Sequence, residues 1–112
     1  MRKLLILAAV PVVSAAVAIP ALAATKTVKV GDNYFVRSSG VPTVTVKKGD
    51  TVRWSFQGKR PHNVDVKSGP VKFKSKTMTK GSFSKKMTRA GLYTIYCEIH
   101  GPSDQSMKLR VR

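Results

Sequence analysis

Thr51-Val52-Arg53-Trp54-Ser55-Phe56 alternates polar and apolar residues, between the turn signals Lys48-Gly49-Asp50 and Gln57-Gly58. Successive side chains of a strand point to opposite faces, so Val52, Trp54 and Phe56 share a core face while Thr51, Arg53 and Ser55 face water. Working outward from this stretch, the same period of two recurs in short segments rich in Val, Thr, Tyr and Phe. The predicted strands are Thr25–Val30, Thr43–Lys47, Thr51–Phe56, His62–Lys67, Val71–Lys74, Ser82–Thr88, Leu92–Cys97 and Met107–Arg112. Turn signals separate them: Gly31-Asp32-Asn33, Ser38-Ser39-Gly40, Ser68-Gly69-Pro70, Lys80-Gly81, Ala90-Gly91 and Gly101-Pro102. Lys74–Lys80 fits a loop or a single helical turn. No helical stripe runs longer than two turns, so the fold class is all-β, a sandwich or small barrel of about seven to eight short strands.

The chain has 112 residues, 21 Lys+Arg against 5 Asp+Glu, and a formal charge of +16, with 42% hydrophobic residues. That is enough for one globular domain and its core. With 1 Cys there is no internal disulfide and no four-Cys zinc site, so any metal site must mix ligand types. Met1-Arg2-Lys3, an apolar run from Leu4 to Ile19, and Pro20-Ala21-Leu22-Ala23 form the three parts of a secretory signal. Residues 1–23 are therefore expected to be a signal peptide cut after Ala23, with a cut after Ala24 the near alternative, leaving 24–112 as the single mature domain. An uncleaved anchor is the competing reading of the apolar run. Removing Arg2 and Lys3 lowers the +16 by two, to +14. For a protein exported to the periplasm or an extracellular or cell-wall space, such a charge favours acidic proteins or anionic envelope polymers over nucleic acid as partners. The same charge opposes self-association, and a monomer with no stable membrane insertion after cleavage is expected.

Much of the basic charge lies on outward strand faces: Lys72 and Lys74 alternate with Val71 and Phe73, and Lys108, Arg110 and Arg112 with Met107, Leu109 and Val111. Charged faces and edges of this kind oppose strand-to-strand aggregation. Three chemically distinct residues fall instead on apolar faces. His62 shares its face with Val64 and Val66, Cys97 with Tyr93 and Ile95, and Met107 with Leu109 and Val111. His100 follows Cys97 after two residues. Taken singly, a buried Cys is a small hydrophobe and a buried Met a gap filler, and Met78 and Met87 are assigned to ordinary packing or loop positions. Taken together, both His residues and the only Cys of the chain belong to one set, in an exported protein where an unpaired thiol needs a reason. Two imidazoles, a thiolate and a weaker thioether suit copper cycling between Cu(II) and Cu(I).

The strings Gly49-Asp50-Thr51-Val52-Arg53-Trp54, Pro61-His62-Asn63-Val64 and Ala90-Gly91-Leu92-Tyr93-Thr94-Ile95-Tyr96-Cys97-Glu98-Ile99-His100 resemble the cupredoxins, in particular the plastocyanin, amicyanin and pseudoazurin types. The resemblance covers the chain from about Val28 to Arg112. It implies a Greek-key β-sandwich carrying one mononuclear type 1 (blue) copper ion and serving one-electron transport. It also implies His62 and His100 as imidazole ligands, Cys97 as the thiolate, and Met107 as the axial ligand. Asn63 takes the position whose hydrogen bonds tie the two ligand loops together, and Glu98 is expected to be surface charge. One departure lies after His100: the plastocyanin pattern places its Met five residues on, where this chain has Gln105, with Met107 two further. Met107 leads directly into the final strand and is the expected axial ligand, with Gln105 the alternative oxygen donor.

The function expected is an exported electron carrier, not an enzyme, that docks an acidic redox partner such as a cytochrome or a copper oxidoreductase. Lys59 and Arg60, just before Pro61-His62, make the rim near the copper positive. The alternatives are a copper carrier or buffer of the cell envelope using the same ligands, and a cationic envelope-binding protein with a vestigial site. A copper enzyme would need a second metal centre, for which no His is left.

Overall fold

The computed structural model describes residues 22–37 and 40–112. The predicted signal therefore lies outside the described residues, apart from its last two positions. Eight strands form: β1 (Thr25–Gly31), β2 (Tyr34–Phe35), β3 (Thr43–Val46), β4 (Thr51–Phe56), β5 (Asp65–Ser68), β6 (Gly81–Lys86), β7 (Gly91–Tyr96) and β8 (Ser106–Val111). They make two four-stranded sheets, β2-β1-β4-β6 and β3-β8-β7-β5. The chain crosses repeatedly between the sheets, so β1 runs parallel to β4 and β3 parallel to β8, while the other neighbours are antiparallel.

The alternation that predicted β4 is the alternation of its burial, with Val52, Trp54 and Phe56 inside. They meet Val28 and Val30 of β1, Val44 and Val46 of β3, Tyr93 and Ile95 of β7, and Met107, Leu109 and Val111 of β8 in one core. Trp54 packs against Phe73 and Phe83, with ring centroids 5.9 and 5.8 Å away, and those two rings lie 6.2 Å from each other. Each fully buried aliphatic side chain of this kind contributes about 1.5–3 kcal/mol relative to exposure. Tyr93 is buried too, with its hydroxyl donating to the Arg89 carbonyl at 2.8 Å, and burial pushes its phenol pKa up.

Three segments depart from the predicted strands. His62–Lys67 enters the ladder only at Asp65, because His62, Asn63 and Val64 are buried in succession, which no alternating strand allows. Before Asp65, His62 instead exchanges two backbone bonds with Met78, of 2.9 and 2.8 Å, in an isolated bridge. Val71–Lys74 is not a regular strand: it follows Gly69-Pro70 and runs irregularly beside β5, whose pairing with β7 slips between Val66 and Ser68. The short β2, two residues after a two-residue turn at Asp32-Asn33, is too brief to show any period. Asn33 takes a φ of 67° there, a left-handed conformation that Asn tolerates.

Candidate metal centre

Three connections meet at one end of the sandwich: the β1–β2 turn, the segment leading from β4 to β5, and the β7–β8 loop. The β7–β8 register opposes Tyr96 to Ser106, and the Cys97 N–H donates to the Gln105 carbonyl at 3.0 Å, extending the pairing by one step. Cys97 therefore stands on the core face directly below Ile95 and is fully buried. The chain turns at once: Gly101 N–H donates to the Cys97 carbonyl, and Gln105 N–H to the Gly101 carbonyl. This turn swings His100 back, so that its Nδ1 lies 3.6 Å from Cys97 Sγ. His62, in the segment that leads into β5, has its Nδ1 3.9 Å from the same sulfur.

The donor atoms of His62, Cys97 and His100 all lie within 4.8 Å of one another. Donors about 2.0–2.3 Å from a single transition-metal ion lie within roughly 4 Å of one another, so the two nitrogen–sulfur distances suit one shared ion. His62 is 0% exposed, whereas His100 is half-buried and sits beside the half-exposed Ile99.

His62 is held from behind. Its Nε2 lies 2.8 Å from Asp32 Oδ1. An ionised carboxylate only accepts, so Nε2 carries the proton and Nδ1 presents its lone pair toward Cys97. The bond to His62, followed by the Lys59 and Arg60 backbone N–H groups at 3.0–3.1 Å, holds the Asp32 carboxyl well below the usual carboxylate range. Gly58 makes room for this arrangement, since a Cβ there would collide with Asp32 Oδ1. Thirty residues separate Asp32 from His62, and in the sequence Asp32 reads only as a turn residue.

Asn63 performs the tie expected of it. Its Oδ1 accepts from the Glu98 N–H at 2.9 Å, and its Nδ2 donates to Glu98 Oε1 at 3.0 Å. Glu98 is at the surface as expected, and its carboxylate also receives Lys74 Nζ at 3.3 Å. Met107 lies in β8 opposite Ile95 and is 0% exposed, while Gln105 lies opposite Cys97 and is 1% exposed.

The family model for copper binding proteins, plastocyanin/azurin family, matches residues 24–112. The chain belongs to that family. Amicyanin from Paracoccus versutus is 38% identical over 63 residues, 53% of this chain and 48% of that protein, so the chain matches about half of this relative's length. The crystal structure of amicyanin from Paracoccus versutus superposes with a TM-score of 0.65 at 31% identity, over 84% of this chain and 85% of that one. A Cu(I) amicyanin variant in which Gln replaces a Met superposes with a TM-score of 0.65 at 30% identity, over 79% and 82%. The fold is thus the cupredoxin sandwich, and copper is the cofactor that a buried thiolate with two imidazoles fits.

Proposed function

We propose that this cupredoxin is an exported electron carrier whose copper is held by His62, Cys97 and His100, with no enzymatic activity of its own. The convergence of these three donors at one end of a rigid sandwich carries the reading. Bound copper supplies the one-electron Cu(II)/Cu(I) couple there. The protein's part is to keep the donors still: Asp32 fixes the His62 ring, and Asn63 locks its segment to the loop bearing Cys97 and His100. Ligands fastened in this way favour holding the ion through both oxidation states over handing it to a receiver, which sets electron transfer ahead of copper carriage.

Half-buried His100, beside half-exposed Ile99, is the route by which an electron reaches the surface. Lys59, Arg60 and Pro61 are exposed and immediately precede His62, whose ring lies 4.8 Å from that of His100, so the docking rim is positive and recruits an acidic redox partner. Electron exchange with an acidic cytochrome slows as added salt screens these charges; a rate indifferent to ionic strength would remove the charge-steering element.

Export follows from the signal at residues 1–23. Cleavage after Ala23 leaves the new α-amino group on Ala24, whose nitrogen lies 2.9 Å from Asp50 Oδ1, so a carboxylate receives the charge that processing creates. The mature domain then acts in the periplasm or an equivalent envelope space, as a monomer.

The decisive experiment is the visible spectrum after Cu(II) addition, beside Cys97→Ser. An intense thiolate-to-copper band that vanishes in the variant supports the type 1 site; a colourless or weakly absorbing protein rejects it.

A further inference from the structure

We propose that the axial donor of the copper site is the side-chain oxygen of Gln105, in place of the thioether expected from Met107. The proposal rests on the type 1 reading above and names its fourth ligand. The β7–β8 register decides which residue neighbours the thiolate. Directly opposed residues of an antiparallel pair present their side chains on the same face. Tyr96 opposes Ser106 and the Cys97 N–H bonds to the Gln105 carbonyl, so Gln105 is the cross-strand neighbour of Cys97. Met107 opposes Ile95, two residues and therefore about 7 Å further down the strand.

The hydrogen bonds of Gln105 point the same way. Its Nε2 donates to two main-chain carbonyls, Gly31 at 3.0 Å and Tyr34 at 2.9 Å. Because both partners only accept, the amide nitrogen must face them and the oxygen must face away; the reverse flip would set three oxygens together. Oε1 is left buried with no hydrogen-bond partner, in a side chain that is 1% exposed. A buried orphan acceptor has lost its water without gaining a partner, and calls for an explanation. The other such atom among the described residues, Trp54 Nε1, is a donor with no lone pair to offer a cation. Met107, by contrast, sits in the core as an apolar side chain whose burial leaves nothing unpaired.

The same hairpin therefore secures two ligands. The Gly31 and Tyr34 carbonyls aim the Gln105 amide, and Asp32 between them aims His62. An amide oxygen is a harder donor than a thioether and favours Cu(II) relative to Cu(I), so Gln105 lowers the reduction potential compared with a sulfur in its place.

The test is a redox titration of the copper-loaded protein, Gln105→Met and Met107→Leu, followed in the visible band. Gln105→Met is expected to shift the Cu(II)/Cu(I) equilibrium at least tenfold toward Cu(I), where each tenfold is 59 mV for one electron. Met107→Leu is expected to move it less than twofold. An unchanged equilibrium in Gln105→Met, or a larger shift in Met107→Leu, overturns the assignment. In case Gln105→Met fails to fold, copper-edge X-ray absorption of the selenomethionine-labelled, otherwise unaltered chain gives an independent answer. Its copper shell is expected to contain no selenium, and a copper–selenium vector that disappears in labelled Met107→Leu overturns the proposal. A potential that follows Met107 in a strongly blue protein defeats only the axial assignment, whereas the absence of an intense band defeats the type 1 reading with it.

Discussion

The two ends of the sandwich are closed by different kinds of bond. At the end away from the copper site, main-chain groups join the connections: Gly49 to Met87, Met87 to Asp50, Lys48 to Arg112 and Thr51 to Ala24. Asp50 is the side chain that joins in, accepting from Ala24 and Lys47 at 2.9 Å each. At the metal end, side chains do most of the joining: Asp32 to His62, Asn63 to Glu98, and Gln105 to Gly31 and Tyr34. Backbone closure tolerates many sequences and secures the fold. Side-chain closure depends on particular residues and secures the aim of particular atoms. Substitutions at the metal end should therefore register first in copper binding, and those at the far end in stability alone.

Within the metal end, the two histidines test how far rigidity extends. Replacing either by Gly should remove the intense copper band. Added imidazole should restore it in His100→Gly, because that ring borders solvent, and leave His62→Gly colourless, because His62 is 0% exposed. Equal rescue of both variants, read from the visible spectrum, would erase the distinction between a sealed anchor and a surface ligand.

Next in size is Asp32→Ala. With its Nε2 partner gone, the His62 ring loses its fixed tautomer, and copper affinity should fall about 10–100-fold in a competition titration. Retention of the wild-type affinity would mean that packing alone aims the ring.

Asn63→Ala should act more weakly, lowering stability by about 1–2 kcal/mol in urea unfolding through the loss of two part-buried bonds to Glu98. The copper band should broaden without disappearing, since all three donors remain.

The smallest effect belongs to the far end. The bonds from Ala24 and Lys47 hold the Asp50 carboxyl below its usual value of 3.8. A depressed folded-state pKa gives stability that is present above the unfolded value and lost as pH falls through the folded one. Asp50→Asn should therefore flatten the decline in stability below about pH 4, with the copper spectrum at neutral pH unchanged. A spectral change in this variant would show that the two ends are coupled.

How much of this was legible depended on whether the signal was periodic. β4, β7 and β8 were readable nearly to the residue because each exposes one face and buries the other. The same period placed His62, Cys97 and Met107 on inward faces. It failed at His62-Asn63-Val64, where consecutive burial arises from a candidate ligand, a loop tie and a core residue in a row. At the axial position it left two candidates: Met107 and Gln105 both have the right parity and chemistry, and parity does not say which of two same-face residues stands opposite Cys97.

An all-β domain, the charge and the trio of candidate donors were legible in the amino-acid sequence, because strand alternation, composition and the Cys97-x-x-His100 spacing are local and additive along the chain. What holds the side chains at this end is a matter of tertiary structure. Asp32 against His62, and the Gly31 and Tyr34 carbonyls against Gln105, are contacts across 30 to 74 residues of chain. Such contacts follow from how the sheets register and where a two-residue turn comes to rest, which no local pattern encodes.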